Sequence, residues 1–301
     1  MCRPAALLPE SWRGFYHYRC HPATREGLPL MQTKVPHSAN KRSARAWFRR
    51  GAMFVAVAVI AVFVFSPPWS VLWKADAIGY AICHRIPDRS FHLGGRQLPL
   101  CVRCTGTHLG VMVGLGTFLL RGRRRATGFP PLRVIAAFVG FWTVWGVDGL
   151  NSYLTLLDAP HLYEPHHLLR VMTGCLNGLA LSTFVWPVLN FSLWKQTDGQ
   201  RVVRDLCELG WMVAVAWMAA LVVYTEPSFL LYPVALASAL SVLLTLTLVN
   251  TMLVLVVMQQ EAVAITWRDA VLPLTLGLAS ALVEVGVIDF VRFNLLPPLP
   301  F

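Results

Sequence analysis

Residues 229–258 read FLLYPVALASALSVLLTLTLVNTMLVLVVM, thirty consecutive positions without one Asp, Glu, Lys or Arg. A helix that crosses a bilayer needs about twenty mostly apolar residues, because unpaired backbone groups are too costly in hydrocarbon. This stretch is long enough to tilt or to extend beyond the hydrocarbon. Six further apolar stretches lie outward from it: 47–66, ended by Pro67-Pro68, then 105–120, which is short, 131–148, 171–194, 207–224 and 270–291. The composition agrees, since the 301 residues are 56% hydrophobic and only 14% charged. Soluble domains are about a quarter charged. The pattern predicts an all-α polytopic integral membrane bundle of about seven transmembrane helices. It excludes a disordered chain, a coiled coil and an ordinary cytosolic enzyme. The first apolar run is an anchor and not a secretory signal, because its lead is long and Val62 to Ser66 offers no small-residue cleavage site.

The formal charge of +11 sits mostly in the first fifty residues, which hold ten basic and two acidic side chains. It therefore describes a tail and not the fold. Residues 1–46 read as a disordered, basic, cytoplasmic tail, with Pro, Gly and Ser and no sustained period. Translation from Met31 instead of Met1 would remove Cys2 and Cys20. A nucleic-acid partner would need a basic face with base-reading side chains or aromatic platforms, and neither is arranged that way. The expected partner is the lipid bilayer. The loops after spans two, four and six carry Arg121 to Arg125 with Arg133, then Lys195, Arg201 and Arg204, then Arg268. Positive loops stay inside, so the N-terminus is expected in the cytoplasm. Loop 67–104 conflicts, with Lys74, Arg85, Arg89, Arg96 and Arg103 on the outer side. That exception assigns those side chains work other than topology.

The same loop holds Cys83-His84 and, sixteen intervening residues later, Cys101-Val102-Arg103-Cys104. Zinc takes four N or S ligands in a tetrahedron, and two short pairs joined by a loop supply them. The expected metal ligands are Cys83, His84, Cys101 and Cys104. Neighbouring side chains diverge, so His92 or His108 can stand in for His84. The second pair sits where a helix starts, which favours thiolate. A disulfide or thiol-exchange pair in an oxidising compartment, and cysteines that merely pack, are the competing readings.

The run Cys83-His84, Arg89-Ser90-Phe91, Leu98-Pro99-Leu100-Cys101, Arg103-Cys104-Thr105-Gly106 and Gly110 resembles the bacterial and archaeal membrane family known as domain of unknown function 2085. The resemblance continues through Asp148-Gly149, Asn151, Tyr153, Leu162-Tyr163, Pro165, Arg170, Thr173-Gly174 and Gly178. It departs at Arg85, where the family often has Gln, and at His167, where Asn is frequent. The resemblance implies a small multi-span domain of a prokaryotic membrane and no established activity. The chain then divides into the tail 1–46, a family-like core 47–194 with its Cys/His loop, and additional helices over 195–301.

A second polar cluster follows span three. Asp148 and Asn151 share a helix face, three residues apart. Tyr153, His161, Tyr163, Glu164, His166, His167 and Arg170 follow within twenty-two residues of Asp148. A carboxylate at membrane depth has a partner or a task. Asp148, Asn151 and Arg170 are the candidate catalytic residues, with Arg170 as partner of Asp148 or as recogniser of a lipid-like or small anionic ligand. The alternative is that Asp148 and Asn151 cap the span beneath an aromatic belt. The three histidines are a weaker metal set. Glu284 has a polar path or a neighbouring helix as its alternatives, Asp289 is placed to pair with Arg292, and Cys175 and Cys207 read as core. Three functions remain open: a metal-dependent membrane enzyme, a transporter, and a thiol redox protein.

Overall fold

A computed structural model describes residues 38–67 and 69–294, with side chains from residue 47 onward. The expectations for Met31, Cys2 and Cys20 lie outside the described residues. The chain divides into Met1–Ala44 and Arg45–Phe301, and the helical bundle belongs to the second unit. The elements run α1 Ser38–Phe65, α2 Val71–Ile82, a hairpin of β1 Ser90–Leu93 and β2 Arg96–Cys101, α3 Val102–Leu120, β3 Ala126–Gly128 and α4 Leu132–Leu156. They continue with α5 His167–Leu193, β4 Asp198–Arg201, α6 Leu206–Tyr224, α7 Leu231–Val257 and α8 Trp267–Asn294.

Among the described residues, six helices are long and apolar enough to cross a membrane: the Trp47–Phe65 part of α1, then α4, α5, α6, α7 and α8. These are six of the seven expected stretches. The seventh is α3, whose nineteen residues span about 28 Å at a 1.5 Å rise. It runs between the same two ends as its neighbours, but its Arg103, Thr105, Thr107 and His108 make it less apolar. Such a helix is tolerated when protein, and not lipid, surrounds it. The protein that surrounds α3 is chiefly α5.

The α3/α5 seam explains the glycines. Gly106, Gly110 and Gly114 recur every four residues on α3, as do Gly174, Gly178 and Ser182 on α5. A Cβ on Gly106 would run into the Val171 carbonyl oxygen, one on Gly110 into that of Cys175, and one on Gly178 into that of Thr107. The two backbones therefore touch. This is the small-xxx-small solution to helix association where no hydrophobic force acts between helices. The sequence reading takes Gly106, Gly110, Gly174 and Gly178 only as points of resemblance and misses the spacing.

The connections separate into two ends. At the basic end, β3 pairs with β4 (Ala126↔Asp198, Gly128↔Arg201), and Arg125 Nη2 donates to the Ile265 carbonyl at 2.9 Å. Arg49, Arg50 and Arg268 line one groove there. The loops after α3, α5 and α7 thus share one end, as their Arg and Lys content suggests. Helix α6 starts at this end with a clear N-terminal capping signal: Asp205 Oδ1 accepts the Glu208 N–H, and Glu208 Oε2 accepts the Arg204 N–H, each at 2.8 Å.

At the other end lie the α1–α3 connection and the α4–α5 loop. Three sequence expectations change there or near it. Residues 67–104 are not an open loop, because α2 and the hairpin occupy most of them. Helix α4 continues two turns past Asp148, so Asp148 and Asn151 lie within it and do not cap its end. Cys175 is buried as expected, but Cys207 is exposed in the first turn of α6.

Candidate functional site

Helix α2 ends at Cys83, whose backbone is extended (φ −134°, ψ 142°). The hairpin then reverses the chain through Gly94 and Gly95, both at positive φ (57° and 76°), the turn geometry that favours glycine. Ser90 pairs with Cys101, so β2 carries Cys101 back towards Cys83. The Cys101 N–H donates to Cys83 Sγ at 3.3 Å. Cys101 is the N-cap of α3, and Cys104 sits in its first turn. The three sulfurs lie within 4.8 Å of one another. Thiolates around tetrahedral zinc, at Zn–S of about 2.3 Å, stand about 3.8 Å apart, so the cluster has the dimensions of a metal site. All three are free cysteines. Hydrogen bonds from the Cys101 and Cys104 thiols, the largest influence, hold Cys83 far below the ordinary thiol range. The same hydrogen bonds, with burial, push Cys101 and Cys104 up, so one negative charge is favoured and it rests on Cys83.

His84 does not join them. It is exposed and lies outside the group, because successive side chains of an extended backbone point to opposite faces. His92 is exposed as well. His108 is buried one turn beyond Cys104, with Nδ1 3.0 Å from Ser241 Oγ. Ser241 Oγ donates to the His108 carbonyl at 3.1 Å, so the ring nitrogen Nδ1 is the donor to Ser241.

Asp148 is buried and fully engaged. Arg103 Nε donates to its Oδ2 at 3.0 Å, and Arg103 Nη2 forms an ion pair with the same oxygen at 2.5 Å. The Tyr163 hydroxyl donates to Oδ1 at 2.9 Å. Burial, and then this bond to Asp148, push the Tyr163 hydroxyl up to about 12. The partner of Asp148 is thus Arg103 and not Arg170. Arg103 projects from the start of α3, which packs against α5 beside α4, and its signal in the sequence is its place between two cysteines. Arg170 Nε instead reaches Ser152 Oγ at 3.4 Å. Asn151 Oδ1 accepts the Leu162 and Tyr163 N–H groups at 2.7 and 3.3 Å, and its Nδ2 donates to the Tyr163 carbonyl at 2.8 Å. Its amide is spent on holding the loop that delivers Tyr163.

The cysteine motif and Asp148 therefore form one composite site, joined by Arg103. The loop histidines do not converge: His161 pairs with Glu164 at 3.0 Å, while His167 bonds the Asp88 carbonyl at 3.0 Å. Glu284 accepts from Asn250 of α7 at 3.0 Å, which favours the neighbouring-helix alternative. Among the described residues Arg292 forms no ion pair with Asp289; it donates to the Tyr80 and Cys83 carbonyls at the end of α2.

A helical bundle with apolar spans and a cysteine cluster at one end defines the class as a polytopic membrane protein. Residues 83–184 match the family described as "Predicted membrane protein (DUF2085)". An uncharacterised protein of Methanothermobacter thermautotrophicus is 38% identical over 77 residues, which cover 24% of this chain and 69% of the relative. An uncharacterised protein of Methanocaldococcus jannaschii is 26% identical over 149 residues, covering 48% of this chain and 89% of that one. The chain belongs to the DUF2085 family of membrane proteins. No solved structure matches. The family match begins at Cys83 and ends within α5, so it contains the whole composite site.

Proposed function

We propose that this is a metal-dependent membrane protein in which Cys83, Cys101 and Cys104 hold zinc beside a polar site for a lipid-like or small anionic substrate. The observation that carries this reading is the convergence of three thiols, tied through Arg103 to the buried carboxylate of Asp148. Zinc on three thiolates keeps a position for water or substrate and would polarise it, whereas a fourth protein ligand would make the ion structural. Asp148 accepts hydrogen bonds on both oxygens, so it orients Arg103 and Tyr163 and is not a free base. Asn151 positions Tyr163 through the loop backbone. The basic end carries the loops that stay in the cytoplasm, which puts the site at the outer face of a prokaryotic plasma membrane and the N-terminus inside. The division into tail 1–46, core 47–194 and added helices 195–301 is part of this reading.

Elemental analysis of the purified protein tests it. About one zinc per chain is expected, as for a single tetrahedral site, and Cys101→Ser should lose it. A metal-free protein whose mass shows an oxidised Cys101–Cys104 pair would replace the metal reading with thiol exchange. After chelation, a membrane-impermeant thiol reagent should label Cys101 from outside intact cells. Labelling from the cytoplasmic side alone reverses the orientation.

A further inference from the structure

The apolar run that forms α7 holds one carboxamide, Asn250, and α8 holds one acid near its middle, Glu284. Gly277 lets the two helices lie against each other: a Cβ there would run into Thr251 Oγ1 and the Thr247 carbonyl oxygen. Thr247, Asn250 and Thr251 share one face of α7 by their i, i+3, i+4 spacing. That face carries Asn250 to Glu284, and Asn250 Nδ2 donates to Glu284 Oε2 at 3.0 Å. Among the described residues, no group donates to Glu284 Oε1.

The depth of the pair follows from helix length. Glu284 lies ten residues before Asn294, so the nearer end of α8 is about 15 Å away at a 1.5 Å rise. Half the hydrocarbon of a bilayer is also about 15 Å thick. On α1, Val55 and Ala56 border the same groove as Glu284 and sit at the middle of the Trp47–Phe65 span. The pair is therefore near the midplane, and it is open there. Glu284 is exposed, as are Val55, Val283 and Val287 around it. Such apolar exposure in a spanning bundle faces lipid.

The groove between α1, α7 and α8 has a volume of about 520 Å³, the size of a small-molecule site. Its walls are aliphatic except for Asn250, Ser280 and Glu284, and no Lys, Arg or His borders it. Helix α7 has no charged side chain. Arg49 and Arg50 of α1, with Arg268 and Asp269 of α8, lie at the basic end. Asp289 does not border the groove, and Arg292 is spent on the Tyr80 and Cys83 carbonyls. Asn250 brings a hydrogen bond and no charge. An ionised carboxylate at that depth needs a counter-charge, and the chain does not bring one.

We propose that this groove binds a lipophilic cation, an apolar body carrying one positive charge, with Glu284 as its counter-ion. Charge complementarity selects the cation, and the aliphatic walls select the body. A lipid acyl chain would fill the walls and ignore the carboxylate. The site is separate from the cysteine cluster and does not depend on the metal reading.

The test is equilibrium dialysis of the full chain, in an uncharged sugar detergent, against tetraphenylphosphonium. Saturable binding at one site is expected. Tetraphenylborate has the same shape and the opposite charge, and it should show no saturable binding. Glu284→Gln should weaken phosphonium binding about tenfold or more, as loss of one desolvated charge pair does. Its amide oxygen still accepts from Asn250, so melting should stay at the wild-type value. Ser280→Phe fills the groove, leaves the carboxylate in place, and should abolish binding. Glu261→Gln, in the exposed turn between α7 and α8, should change nothing. Absence of saturable phosphonium binding overturns the proposal, whether an acyl chain or a second copy of the chain fills the groove instead. So does borate bound as well as phosphonium, undiminished binding in Glu284→Gln or Ser280→Phe, or equal weakening by Glu261→Gln.

Discussion

At the basic end of the bundle Arg123 is buried against Glu208, 2.8 Å from Oε1, while Arg121 and Arg124 stay exposed. At the cysteine end Arg103 pairs with the buried Asp148, and Arg170 is buried with its Nε 3.4 Å from Ser152 Oγ. Surplus positive charge belongs to the basic end; at the cysteine end Asp76, Asp88, Asp148, Asp158, Glu164, Glu226 and Asp289 offset the basic side chains. At the basic end the surplus is left in water, where it costs little and can orient the chain in a membrane. At the cysteine end charge is partly withdrawn from water and paired there, because an unpaired buried charge is expensive. The same residue type near a membrane therefore means two things, and burial distinguishes them.

The sharpest way to break this contrast is Glu208→Gln. It strands Arg123, which is almost wholly buried and has two further guanidinium nitrogens without partners. A loss of about 3–5 kcal/mol is expected, as for a broken buried pair. Chemical unfolding in mixed micelles measures it, and zinc per folded chain should not change. A loss under about 1 kcal/mol would show that the basic end is not held by this pair. Asp148→Asn should cost less, about 1.5–3 kcal/mol, because Arg103 is partly exposed and keeps Ser152 as an acceptor at 2.8 Å. An effect as large as that of Glu208→Gln would erase the difference between the ends.

The smallest effect belongs to Tyr163→Phe, about 1 kcal/mol for one hydrogen bond. Its pH dependence is more telling. The folded hydroxyl titrates near 12 instead of 10, so it binds its proton more tightly in the native state. The stabilisation it provides is complete below about pH 10 and is lost as pH rises towards 12. In ultraviolet titration a tyrosine ionising near 12 should be present in the wild type and missing from Tyr163→Phe.

The spans were legible because a helix in hydrocarbon needs a long apolar run whatever it packs against. Stretches such as 207–224 and 229–258 match α6 and α7 to within two residues. Helix α2 was hidden, because twelve residues with Lys74 and Asp76 do not resemble a span. At the site, the grouping of Cys83, Cys101 and Cys104 followed from spacing, since a hairpin naturally returns one pair to the other. The exclusion of His84 depended on the extended backbone at Cys83. The assignment of Arg103 to Asp148 joins residues forty-five positions apart, and local spacing carries no information about such a pair.

By itself the sequence determined that this chain is a multi-span membrane protein with thiols and carboxylates concentrated near particular spans. That much follows from apolar run length and from the rarity of polar residues within or beside those runs. Only the tertiary structure decided which polar groups meet. The α3/α5 seam lets two backbones touch, and α3 then presents Arg103 and the cysteine pair towards α4 and α2. Partner choice among buried charges is set by that three-dimensional approach, because electrostatics in a low-dielectric interior depends on distance in space and not along the chain.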